Sequence, residues 1–253
     1  MPARDSNELH QVDVVGPRHL LGDRTDYYIL ICRDVCDGAV YAELATNRET
    51  TTVIQFLIRA WQFLGLPVRV QFDNGREFCG FGKAARWLSR VIRFCLRVAV
   101  EPVFIPQGRP QRNGAIENYN GWFQPLLLGR PLRRASDLRR ELRHLMDATN
   151  EQHIRPPLGY KTTAQYRRGK RLHKLPAKFV IDVDHLPISA GKVIFIRAVS
   201  PHGMIDILEQ DFKVGQRRQN QYVKAVLETP RQVLKVYHNG RLIKTFVYKL
   251  RKD

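Results

Sequence analysis

Val68-Arg69-Val70-Gln71-Phe72-Asp73-Asn74-Gly75-Arg76-Glu77-Phe78 is the stretch on which the reading of this chain turns. Residues 68–72 alternate in the manner of a short strand, and Asp73-Asn74-Gly75 ends it with residue types that turn a backbone. Asn-Gly by itself also favours a hairpin turn, so the run alone leaves open whether Asp73 serves a turn or a site. Just upstream, Val53, Phe56, Leu57, Ala60, Trp61 and Leu64 recur at helical spacing, which predicts a helix over 50–64 stopped by Gly65 and Pro67. Further upstream, 10–15 reads as a strand with Val12 and Val14 on one face and Gln11, Asp13 and Val15 on the other. Two more strands, 27–32 and 39–45, flank an Asp37-Gly38 turn. Downstream, the pattern predicts a helix over 83–98, a short strand over 103–105 and a helix starting at Asn113 as its cap. Pro125 should stop or kink that helix. A last helix is expected over 136–150, capped by Ser136 or Asp137, with Leu138, Leu142, Leu145 and Met146 as its apolar stripe. Three strands, helix, strand, helix, strand, helices is an α/β order with a mixed sheet.

The texture changes near residue 170. Residues 169–178 are basic and contain proline, as a linker would. Short strands follow at 192–199, 203–208, 222–227, 233–237 and 242–248, separated by turn residues such as Asn239-Gly240. Regular short strands of this kind suggest a small β-barrel. The expected organisation is therefore an α/β domain over 1–168, a linker over 169–178 and a β domain over 179–253.

Composition narrows the function. The chain has 253 residues, 43% hydrophobic and 26% charged. That is ordinary for a globular protein and excludes a collagen, a disordered chain or a disulfide scaffold. No run approaches the ~20 apolar residues of a membrane helix; the nearest, 53–70, carries Gln55, Arg59, Gln62 and Arg69. The first eight residues lack the apolar core of a signal peptide. The formal net charge is +18, of which +6 falls after residue 178. A basic excess spread over the whole chain points to a polyanion, with nucleic acid ahead of a membrane surface. Cys32, Cys36, Cys79 and Cys95 form no Cys-x-x-Cys pair, so free thiols in a reducing cytoplasm are expected and zinc is not.

Three acids stand out. Asp13 lies in the middle of a half-buried strand, where an unpaired carboxylate is costly. Asp73 closes another strand, and Glu117 lies four residues past Asn113. Alone, Asp13 could pair with an arginine and Glu117 could be a solvated helix charge. Together on one sheet edge, three carboxylates repel one another, and a divalent cation reverses that penalty. Oxygen-only ligands select Mg²⁺ or Mn²⁺.

Leu9-His10-Gln11-Val12-Asp13, Gln71 to Phe78, and Pro110-Gln111-Arg112-Asn113-Gly114-Ala115-Ile116-Glu117 resemble the DDE catalytic core of retroviral-type integrases and bacterial insertion-sequence transposases. Residues 100–106 resemble the bacterial members. The resemblance spans about 9–168 and, more loosely, the β-rich tail. It implies an RNase H-like mixed sheet with flanking helices, followed by a small SH3-like β-barrel that binds DNA or a neighbouring subunit. It implies DNA integration or transposition by polynucleotidyl transfer, with Asp13, Asp73 and Glu117 holding two Mg²⁺ or Mn²⁺ ions. Water would first expose a 3′-hydroxyl at an element end, and that hydroxyl would then attack target DNA. No nucleotide cofactor is expected, and no phosphate-binding Gly-Lys loop is present in the sequence. The implied setting is the bacterial cytoplasm and nucleoid, as a homo-oligomer on DNA. The 43 residues between Asp73 and Glu117 exceed the commonest family spacing, with the extra length around 79–90. Only twelve residues precede Asp13, so recognition of element ends is expected from a module or subunit elsewhere. A nuclease that does not join ends and a non-catalytic DNA-binding protein are the alternatives.

Five basic residues add a reading independent of the resemblance. Lys83, Arg86, Arg90, Arg93 and Arg97 recur at helical intervals opposite Leu88, Val91, Ile92, Cys95 and Val98, with no acid among them. Such a face is expected to track a phosphate backbone. Gln111, Asn113 and Asn120 are expected to contact DNA beside the metal.

Overall fold

The computed structural model describes residues 3–79, 85–106, 114–129 and 132–251. The chain forms two compact units: residues 1–69 with 110–180, and residues 70–109 with 181–253. The boundary differs from the one that the texture of the sequence suggests, because the C-terminal strands share a unit with 70–109.

In the first unit, β1 (Leu9–Arg18), β2 (Tyr27–Asp34) and β3 (Val40–Ala45) form an antiparallel meander. Gly38 turns β2 into β3 at a φ of 72°, and a side chain there would meet the Arg155 guanidinium. Helix α1 (Thr50–Phe63) packs on β2 and β3, burying Val53, Phe56, Leu57 and Trp61. Helices α4 (Gly114–Leu128) and α5 (Ala135–Asp147) share a core with the sheet: Val15, Ile29, Ile31 and Val40 meet Ile116, Tyr119, Phe123, Leu138 and Leu142. The two-residue period of a strand accounts for this division. Ile29 and Ile31 face α4 and α5, while the equally buried Leu30 and Cys32 alternate with them.

Helix α4 runs through Pro125, contrary to expectation. The proline removes one backbone donor, but the next turn closes when Gly129 N–H donates to the Pro125 carbonyl at 2.9 Å. Helix α5 begins at Ala135, one residue ahead of the expected caps, with Arg134 as N-cap and no side-chain cap bond.

The expected linker is strapped to this unit. Leu66 N–H donates to the His173 carbonyl at 2.7 Å, Gln62 Nε2 to the Pro176 carbonyl at 2.9 Å, and Leu175 is buried. A short helix, α6 (Thr163–Arg167), opens on a capping box between Thr162 and Gln165. Its Arg167 reaches the fully buried Asp34 at 2.8 Å and Asp37 at 2.7 Å. Asp34 also accepts from the Asn7 N–H at 2.5 Å and lies 3.5 Å from His10.

In the second unit the strands run in the order β4 (Arg69–Phe72), β5 (Glu101–Phe104), β6 (Lys192–Ala198), β9 (Tyr222–Glu228), β10 (Val233–His238), β11 (Arg241–Val247). β5 and β6 are parallel; β6, β9, β10 and β11 are antiparallel neighbours. A hairpin of β7 (Met204–Asp206) and β8 (Asp211–Lys213) packs Phe212 on Phe246 and Tyr248. The C-terminal strands thus make a small β domain. Its core continues into β4 and β5 through a row of fully buried rings, Phe78–Phe72–Phe104–Phe195, with centroids 4.6, 5.8 and 5.5 Å apart. The short helix α2 (Arg76–Cys79) folds Phe78 back onto Phe72. Helix α3 (Arg90–Arg97) packs on β5. No helix among the described residues is long and apolar enough to cross a membrane.

Candidate active site

Gln11, Asp13 and Val15 alternate along one face of β1, the face on which Val15 joins the core with α4. Gln11 Oε1 accepts from the Ile116 N–H at 3.0 Å. That donor belongs to the first turn of α4, where backbone N–H groups lack helical partners. A side chain of β1 therefore fixes the start of the helix that carries Glu117. One turn on, Asn120 Nδ2 donates to Asp13 Oδ2 at 2.5 Å, while Asp13 Oδ1 accepts from the Val14 N–H at 2.9 Å. Both carboxylate oxygens of Asp13 are thereby oriented.

Glu117 is one residue past Ile116 on the same helix and is partly buried. Burial pushes its carboxyl above the ordinary range, and the negative charge of Asp13 pushes it the same way. Two acids that raise one another's cost of ionisation suit a cation. The first unit thus offers an oriented Asp13 carboxylate and a Glu117 carboxyl close enough to feel its charge, the hard oxygen donors that Mg²⁺ and Mn²⁺ take. Among the described residues no group of three or more His, Cys, Asp or Glu is gathered as a metal cage.

Asp73 belongs to the second unit, directly after β4. Its Oδ1 accepts from the Gly75 N–H at 2.8 Å, a local turn. A Cβ at position 75 would lie 2.9 Å from Asp73 Oδ1 and 2.8 Å from the Glu77 carboxyl carbon, so a side chain there would displace these carboxyls. Asn74 continues the turn, and its Nδ2 donates to the Ile105 carbonyl at 2.9 Å.

The other candidates fare differently. Asn120 is buried against Asp13 rather than presented to DNA, so it orients the acid. Gln111, Asn113 and Lys83 lie outside the described residues. Arg86, Arg90, Arg93 and Arg97 do not share one exposed helical face. Arg86 sits in a turn at a φ of 69°, and Ser89 caps a helix that starts only at Arg90, accepting from the Ile92 N–H at 3.2 Å. Arg90 pairs with Asp184. Arg93 is buried, donating to the Leu88 carbonyl at 2.9 Å and the Leu186 carbonyl at 3.0 Å with its guanidinium 4.6 Å from the Trp87 ring. Arg97 remains exposed. On the first unit, α5 carries exposed arginines at Arg139, Arg140 and Arg143, with Arg133 and Arg134 exposed just before it. In the sequence they alternate with the apolar stripe of Leu138 and Leu142, which marks their side of α5 as the outer one.

Residues 3–110 match the family model described as integrase core domain. The HTLV-2 integrase catalytic core domain, solved in complex with magnesium as a trimeric form, is 22% identical over 63% of this chain and 95% of its own, with a TM-score of 0.49. The BIV integrase catalytic core domain is 16% identical over 63% of this chain and 92% of its own, with a TM-score of 0.47. A chain of the simian T-cell lymphotropic virus intasome in complex with PP2A regulatory subunit B56 gamma is 16% identical over 98% of this chain and 79% of its own, with a TM-score of 0.55. No curated protein matches the chain. The segment that holds Asp13 and Asp73 therefore matches an integrase core domain, and the chain has an RNase H-like mixed sheet with flanking helices and a small C-terminal β domain.

Proposed function

We propose that the protein is a divalent-metal-dependent polynucleotidyl transferase that cleaves element ends in DNA and joins them to a target, as an oligomer on DNA in a bacterial nucleoid. The observation that carries this reading is the Asp13 carboxylate, oriented by Asn120 and lying on a segment that matches an integrase core domain, with Glu117 on the helix whose start Gln11 fixes. Asp13 and Glu117 would hold Mg²⁺ or Mn²⁺, with Asp73 joining them by the sequence resemblance. Two bound ions supply activation of the attacking oxygen and stabilisation of the leaving oxygen. The chain's own residues contribute orientation. Asn120 holds the Asp13 carboxylate, Gln11 sets the start of α4, and the Asp73 turn presents its acid at the end of β4. One phosphodiester replaces another, so no nucleotide is consumed.

The test supplies a labelled element-end duplex and a target plasmid with Mn²⁺. End nicking followed by joined product supports the reading. Nicking without joining assigns a nuclease, and DNA binding without either reaction assigns a non-catalytic binder.

We assign the sequence-independent DNA contact of the first unit to the exposed arginines of α5. Arg139 and Arg143 lie one turn apart on it. Each phosphate contact removed lowers the salt dependence of binding by about one in log–log slope. Replacing both by Gln is expected to lower it by about two, measured by fluorescence anisotropy over a salt series. An unchanged slope would remove α5 from the interface.

A further inference from the structure

We infer that Arg197, on strand β6 of the C-terminal β domain, is a positioning residue for the Asp73 turn and acts through Asn74. The inference rests on the reading of Asp73 as a metal-binding carboxylate.

Arg197 lies 123 residues from Asn74, yet its Nη2 donates to Asn74 Oδ1 at 3.1 Å. The rest of its guanidinium is tied to backbone. Nη1 donates to the Ile196 carbonyl at 3.0 Å and the Phe104 carbonyl at 3.4 Å, and Nε donates to the Asp206 carbonyl at 3.1 Å. The guanidinium carbon stands 5.1 Å from the centroid of the Phe195 ring. The planar fork of arginine suits several simultaneous bonds in fixed directions. Asn74 is thus held at both ends of its amide, its Nδ2 by the Ile105 carbonyl and its Oδ1 by Arg197. A side chain so fixed leaves its neighbour, Asp73, little rotational freedom about the turn.

The scaffold behind this clamp is paired sheet backed by buried rings. β6 runs parallel to β5, with Val103 opposite Ile194 and Phe104 opposite Phe195. The buried row Phe78–Phe72–Phe104–Phe195 then links the strand carrying Asp73 to the strand carrying Arg197. The C-terminal β domain is in this way part of the support of a catalytic acid and not only an appendage for DNA. Loss of a group that orients a metal ligand commonly costs about 10- to 100-fold in metal affinity.

The experiment measures Mn²⁺ affinity by electron paramagnetic resonance, without DNA, for the wild type, Arg197→Gln, Arg197→Lys, Asn74→Ser, the Arg197→Gln/Asn74→Ser double variant, and Asp73→Asn as reference. Thermal melting checks that each is folded. The expected result is a loss of about 10-fold or more for Arg197→Gln and for Asn74→Ser, no further loss in the double variant, and little rescue by lysine, which lacks the fork. Additive losses, or wild-type affinity in Asn74→Ser, would overturn the inference, and Asn74→Ser decides it even where Arg197→Gln does not fold. Wild-type affinity in Asp73→Asn would instead overturn the assignment of Asp73 on which the inference stands.

Discussion

Glu117→Gln is expected to abolish end cleavage and strand transfer together while leaving the protein slightly more resistant to heat. Both effects have one cause. In the folded chain the Glu117 carboxylate is made costly by burial and by the adjacent charge of Asp13. A neutral amide of the same shape removes that repulsion, so the thermal midpoint should rise. It also removes one hard oxygen ligand from the pair, and losing a principal electrostatic contributor to a transition state costs on the order of 10³-fold in rate. Residues kept at a cost to stability mark functional sites. Paired melts with and without Mn²⁺ provide the check. Wild type should gain stability from the cation by mass action, and Glu117→Gln should lose that gain. A variant that melts lower than wild type and still cleaves DNA would show that Glu117 is a structural charge.

Arg167→Ala should produce the largest loss of stability of any single change away from this pair. Arg167 satisfies Asp34 and Asp37 at once, both fully buried, and donates through Nη1 to the Leu64 carbonyl at 2.8 Å. Removing one partner of a buried ion pair leaves uncompensated charge and costs about 3–5 kcal/mol. Burial alone would raise the Asp34 carboxyl, but the bond to His10, the charges of His10 and Arg167 and the Asn7 N–H outweigh it and hold the carboxyl below the ordinary range. An acid depressed in the folded state contributes stability above its unfolded value and loses it as pH falls through the folded value. Wild type should therefore keep this contribution at neutral pH and lose it only in acid. Urea titrations at neutral and acidic pH should show the gap between wild type and Arg167→Ala narrowing as pH falls. A gap that stays constant with pH would mean that Arg167 acts through packing alone.

The strands and helices that frame the candidate site were legible because each is periodic over its own length. Alternation placed Gln11, Asp13 and Val15 on one face of β1, and that face does meet α4. The failures have physical causes as specific as the successes. The basic repeat kept helical spacing across Arg86, which the helix does not include, since spacing carries no record of a left-handed residue there or of a new cap at Ser89. Strand β8, Asp211–Lys213, is too short to show a period. Asn120 read as a DNA contact because a polar helix residue next to Glu117 has no local sign of being turned inward.

What the sequence determined by itself is therefore local: the elements, the strand-end position of Asp73, the positions of Asp13 and Glu117, and a charge that calls for a polyanion. Tertiary structure alone decided which polar side chains are spent inside. It buried Asn120 against Asp13 and Arg93 under Trp87, left the α5 arginines outside, and ran β6 parallel to β5 so that Arg197 reaches Asn74. Periodicity names the face of an element, but the partner covering that face comes from distant chain, 123 residues away for Arg197 and Asn74, and only packing brings the two together.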